Sequence, residues 1–171
     1  MLSRSSEYAI RALTFLAQHE RDGQHYLARD MAEQLGIPAP FLGKVLQPLV
    51  TRGLLHSQRG RSGGFRLDRP AAEIRLIQIV EAEENLAPAD VCLLGQQVCD
   101  DAHACPLHDT WMKLSKGFHD RLRNTSLRDL VEACAGQSGC AYPYPSKGGP
   151  DLPLPSLPVL PTARDGRAVS A

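Results

Sequence analysis

Between Leu27 and Val50 apolar residues recur at helical intervals in two runs, and only Gly36-Ile37-Pro38 separates them. In the first run Leu27, Met31 and Leu35 return every four residues beside Ala28 and Ala32, and Gly36 stands where a helix-ending C′ glycine belongs. In the second, Phe41, Leu42, Val45, Leu46, Leu49 and Val50 share one face. So short a connection cannot lay two helices side by side, so they must cross steeply, as in a helix-turn-helix. Pro48 sits inside the third helix, where a missing N–H and a crowded carbonyl typically cost about 3 kcal/mol, which predicts a kink or an early helix end there.

The flanking segments complete a known arrangement. From Ser5 to about His19, Tyr8, Ala9, Ala12, Leu13, Leu16 and Ala17 fall at helical spacing behind serines able to cap. After the third helix, Leu54 to Ser57, the turn RGRSGG and Phe65 to Leu67 read as a two-stranded hairpin, a β-wing. Helical spacing resumes from Ile74 to Glu83, a cysteine-bearing loop follows to Pro106, and a longer helix is expected from Leu107 to about Arg123. Its Trp111, Leu114, Phe118 and Leu122 form an apolar seam expected to join two subunits. Ser126 and Asp129 form a capping box for a last short helix through Val131. Beyond Gly136 periodicity ends and seven prolines fall between Pro143 and Pro161, so a disordered tail is expected. The expected fold is therefore mainly α with a small β-wing. It comprises a winged helix-turn-helix domain over 1–83, a cysteine loop over 84–106, a long dimerisation helix with a short C-terminal helix over 107–135, and a tail over 136–171.

Charge locates a face. The chain as a whole is neutral, but residues 1–70 carry ten Lys or Arg against six Asp or Glu, a net +4, whereas 71–135 carry six against eleven. Phosphates are attracted to the first segment and repelled by the second. Within the basic segment the exposed positions expected on the third helix are Pro40, Gly43, Lys44 and Gln47, of which Lys44 and Gln47 have long polar arms for base edges. Arg59 and Arg61 flank Gly60 at the wing tip, where they can press into a groove. The partner implied is double-stranded DNA.

Hydrophobic content of 43% excludes disorder throughout, and no apolar run approaches the roughly 18 to 20 residues of a membrane span. The N-terminal segment lacks a signal-peptide pattern, so a cytoplasmic protein without a membrane partner is expected. Five cysteines, an odd number in a reducing compartment, point to metal or thiol chemistry rather than to disulfides. Cys92, Cys99 and Cys105 give C-x6-C-x5-C-x2-H, ending at His108. Three soft thiolates within fourteen residues can converge on an iron-sulfur cluster; zinc sites favour closer pairs, and uncoordinated thiols remain the plainest alternative. Cys134 and Cys140 read as bystanders. His25 and His103 read as solvated loop residues, although His25 could approach a cluster in a dimer.

The opening SSEYAIRAL, the LARDMAEQLGIP turn, the GLLHSQRGRSGGF wing, IRLIQIVEAEE, the cysteine loop ending CPLH and the later SLRDLV together resemble the Rrf2 family of bacterial transcription regulators, over roughly Met1 to Ala135. The resemblance implies a homodimer held by the long helix, a palindromic promoter site and a [2Fe-2S] or [4Fe-4S] cluster ligated by Cys92, Cys99 and Cys105. In the IscR-like pattern a histidine three residues after the last cysteine completes the site, the place of His108; in the NsrR-like pattern an acid from the first helix does so, the place of Glu7. Read without the resemblance, His108 is a polar residue at a helix start and Glu7 a favourable charge in a first helical turn. The first cysteine gap, with six intervening residues, is wider here than in those relatives.

The function expected is that of a DNA-binding repressor sensing redox change, nitric oxide or iron-sulfur status. The alternatives are a thiol-switch or zinc-binding regulator of the same fold and, further off, an iron-sulfur electron carrier. No catalytic residues are expected, and no nucleotide-binding glycine fingerprint is present.

Overall fold

A computed structural model describes residues 2–20, 24–60, 63–89, 91–95 and 100–135. In these, α1 (Arg4–Gln18), α2 (Ala28–Leu35) and α3 (Ala39–Thr51) precede the hairpin β1 (Leu55–Gln58) and β2 (Gly64–Leu67); α4 (Leu76–Glu83), α5 (His108–Asn124) and α6 (Leu127–Ala135) follow. Arg61, Cys99, Cys140 and the proline-rich tail lie outside the described residues.

Ser3 caps α1, its Oγ accepting the Ser6 N–H at 3.1 Å, which replaces one bond the first turn lacks. The helix buries Ala9, Ile10, Ala12, Leu13, Phe15 and Leu16, and it packs on α3, α4 and α6. Arg11 is buried too, and its guanidinium donates to the Leu35 carbonyl at 2.6 Å, satisfying the last turn of α2. Gly36 has φ 60°, and Ile37 N–H reaches back to the Ala32 carbonyl at 2.9 Å. This left-handed closure, open to glycine at little cost, makes the abrupt turn into α3.

Three expectations need correction. Leu27 is the N-cap of α2 rather than part of its buried face, and is 42% exposed. Phe41 is 40% exposed at the start of α3, although periodicity assigned it inward. Pro48 does not end α3, which continues to Thr51. The carbonyl deprived of its donor belongs to Lys44, whose side is solvent-exposed, so water can replace the lost bond.

β1 and β2 pair antiparallel with Leu55 opposite Leu67 and Gln58 opposite Gly64. Tyr26 adds a bridge to Phe65, exchanging N–H···O bonds of 2.9 and 2.8 Å that fasten the wing to the segment before α2. A Cβ at Gly64 would collide with the Tyr26 carbonyl, which is why glycine is required there. The expected capping box is present, with Ser126 N–H on Asp129 Oδ2 at 2.7 Å and Asp129 N–H on Ser126 Oγ at 3.1 Å. α6 runs past the expected Val131 to Ala135. Leu76 N–H to Thr125 O and Leu127 N–H to Ile74 O, at 3.0 and 2.8 Å, tie the α5–α6 junction to the start of α4.

Candidate nucleic-acid interface and cysteine groove

Two surfaces carry the chemistry-bearing residues. On the first, α3 turns Leu42, Val45, Leu46 and Leu49 into the core and leaves Pro40, Lys44 and Gln47 exposed, as the sequence indicates, whereas Gly43, also expected to be exposed, is half-buried. Arg59 and Gly60 are exposed at the wing tip. At the wing root, His25 is not a solvated loop residue: it is half-buried, with Nε2 3.2 Å from Nδ1 of His56 on β1. His103 is exposed and its ring lies 2.8 Å from Asp100, which lowers the Asp100 pKa chiefly through that side-chain bond.

The second surface is an open groove of about 980 Å³ between α1, the 86–93 segment and α5. Its walls are mainly apolar, including Ile10, Leu86, Val91, Trp111, Leu114 and Phe118, and into them are set Glu7, Cys92, Ser115 and His119. Cys92 is buried, 7% exposed. Trp111 Nε1 donates to the Val91 carbonyl at 2.8 Å, which anchors the residue preceding Cys92 to α5. Glu7 and Cys92 therefore face one groove although they are far apart in sequence.

Of the other expected ligands, Cys105 and His108 do not line the groove, and Cys99 lies outside the described residues. Cys105 is half-buried just before α5 and its carbonyl accepts the His108 N–H at 2.9 Å. The His108 ring is 6% exposed with Nε2 3.3 Å from Asp101 Oδ1, and it does not line the groove. Among the described residues no three His, Cys, Asp or Glu side chains are grouped to hold a metal ion. His119 was missed by sequence reasoning; its signal is the spacing of seven and four that places Ser115 and His119 on the face of His108.

The expected seam divides. Leu114 and Phe118 are 64% and 43% exposed and Trp111 is half-buried, but Leu122 is 5% exposed and belongs to the intramolecular core. No described helix is long and apolar enough to cross a membrane.

Two helices joined by the Gly36 turn, followed by an antiparallel hairpin and with Lys44 and Gln47 exposed on the second helix, define a winged helix-turn-helix fold. The family model for Rrf2, iron-dependent transcriptional regulator, matches residues 2–133, and the chain belongs to that family. It is 35% identical to protein aau3 of Rhizobium meliloti (strain 1021) over 135 residues, 77% of this chain and 85% of aau3. To the HTH-type transcriptional regulator IscR of Pectobacterium carotovorum subsp. carotovorum (strain PC1) it is 32% identical over 130 residues, 76% of this chain and 78% of IscR. In fold it is similar to CymR, the global cysteine regulator of B. subtilis, with a TM-score of 0.65 at 21% identity over 78% of this chain and 97% of CymR.

Proposed function

We propose that this regulator is a cytoplasmic repressor that reports redox change, nitric oxide or iron-sulfur status through a cluster held by Cys92, Cys99 and Cys105. The observation that carries the reading is the shared groove: a buried thiol from the loop and a carboxylate from α1 line one apolar cleft against α5. That donor set suits the group, because thiolates are soft ligands and an apolar lining limits water around them. Glu7 is the fourth donor on this reading. A second reading assigns His108, supported by the backbone bond that starts its helix one turn after Cys105.

When bound, the cluster supplies a centre that oxidants and nitric oxide attack. The chain's own residues carry the rest. Trp111 holds the segment before Cys92 on α5, so a change of loop conformation is felt by that helix. Leu114 and Phe118 supply the outward face by which two copies pair, and the angle between two α3 helices on a palindromic site then depends on α5. Lys44 and Gln47 reach base edges, while Arg59, Gly60 and Arg61 bring the wing to the phosphates. A few kcal/mol of differential affinity between the two loop states is enough to change occupancy. A thiol switch without a cluster is favoured by one feature, the partial exposure of Cys105.

Anaerobic purification tests the proposal. Brown protein with about one cluster per subunit by iron and sulfide analysis is expected, and Cys92→Ala should be colourless. Glu7→Gln should alter the visible spectrum and His108→Gln should not; the reverse moves the fourth ligand to His108. Colourless wild-type protein that still changes DNA affinity on oxidation would establish the thiol switch instead.

A further inference from the structure

Phe41 is the large apolar side chain that α3 leaves exposed, at 40%. It lies three residues before Lys44, and residues i and i+3 are neighbours on a helix surface. Its backbone N–H and that of Leu42 both donate to the Pro38 carbonyl, at 2.9 and 3.0 Å, so it occupies the first turn, the part of a recognition helix that enters the major groove. The ring is held rather than loose. Tyr8 of α1 packs edge-on against it, with centroids 5.5 Å apart and planes at 88°, and Arg11 lies 5.8 Å over the Tyr8 ring while its guanidinium grips the end of α2. One side of Phe41 is thus buttressed by α1 while the remainder is presented beside the exposed Lys44.

An apolar ring fixed next to a cation, on a helix that enters the major groove, meets one apolar feature there, the thymine C5-methyl group. We propose that Phe41 is a specificity-determining residue that reads a thymine methyl in the operator. This rests on the reading of α3 as the recognition helix and names what that helix selects beyond the polar contacts of Lys44 and Gln47. Tyr8 is then a positioning residue: it holds the ring without touching DNA.

The full-length protein is used to enrich binding sites from a randomised duplex pool, and each thymine of the enriched site is then replaced by deoxyuridine, which removes only the methyl. One position should lose roughly three- to fivefold in affinity, the scale of one buried carbon. That loss should vanish in Phe41→Ala, because the two changes remove the same contact. Phe41→Gln, which keeps a side chain of similar reach and offers an amide suited to adenine, should move the preference at that position away from thymine. An enriched site at which no thymine depends on its methyl, or a penalty that persists in both variants, overturns the inference alone. If no sequence is enriched, the recognition-helix reading falls and the inference with it.

Discussion

The helices before the wing and the long helix after the cysteine loop bury different proportions of apolar side chain. α1, α2 and α3 hide mostly leucine, isoleucine, valine, methionine and alanine with Phe15, and one core cluster takes them together with Ile74, Ile79 and Val80; the buried polar residues of α1, Ser6, Arg11 and Thr14, each make a hydrogen bond. α5 instead turns His108, Ser115 and His119 inward and Leu114 and Phe118 outward. Burial of apolar area drives the first region to fold and needs no partner. Polar burial supplies no such drive and has to be compensated by hydrogen bonds. α5 is therefore located by its end, where Leu122 enters the core, and by the Trp111–Val91 bond, while its apolar outer face is left for another surface. A region that closes on itself suits a reader of DNA; one that does not is suited to reporting a change.

The largest effect should come from attacking that contrast directly. Leu46 is fully buried in α3, so Leu46→Ala should cost about 2 to 5 kcal/mol, measured by urea denaturation. Replacing Leu114 and Phe118 together by Glu should leave helicity intact and instead turn dimers into monomers in sedimentation. If the double variant unfolds as Leu46→Ala does, the outer face of α5 is core in solution and the contrast between the regions fails.

Glu83, the last residue of α4, stands where the two regions join. Burial pushes its carboxyl pKa up to about 7, with Glu84 adding to the rise, and its Oε1 is buried without a hydrogen-bond partner among the described residues. A raised folded-state pKa means that the neutral acid is the form the fold tolerates. Its contribution is fully present below the ordinary value of 4.5 and is lost as pH rises through about 7. Glu83→Gln should therefore stabilise the protein by about 1 kcal/mol at pH 8, after allowance for solvent screening, and hardly at all near pH 4.5. Urea melts at the two pH values measure the difference. An equal gain at both would show that the carboxyl is not titrating between them.

The first region was legible because its helices are amphipathic and its turn residues are specific. Gly36 and the pattern of Leu42, Val45, Leu46 and Leu49 imply both the crossing and the exposed face. Where periodicity failed, it failed at helix ends. Leu27 and Phe41 fit the spacing, but a residue at a first turn has no preceding turn beneath it to fold onto. Long-range pairing left no local trace either, so the Tyr26–Phe65 bridge and the His25–His56 contact were invisible in the sequence. The cysteine spacing identifies donor types, but a loop without periodicity says nothing about where they point. That Cys92 shares a groove with Glu7, while His108 lies apart beside Asp101, required coordinates.

The smallest effect separates affinity from control. Arg59 is exposed at the wing tip, outside the groove and away from α5, so its expected role is a phosphate contact. Removing one such contact should reduce the salt slope of log affinity by about 0.9, equivalent to roughly fourfold weaker binding at about 0.2 M salt. Arg59→Ala should show that loss whether or not the protein has been exposed to oxidant, the result expected of a wing that takes no part in the proposed response. Cys105→Ala should do the opposite: it keeps the basic face, and hence a comparable salt slope, but no longer changes affinity on exposure to oxidant or nitric oxide. Anisotropy titrations of both variants on one enriched duplex, over a series of salt concentrations and with and without the stressor, place each on its own axis. A Cys105→Ala protein with the full wild-type response would remove this cysteine from the sensor. An Arg59→Ala protein with an unchanged slope would remove Arg59 from the phosphate contacts.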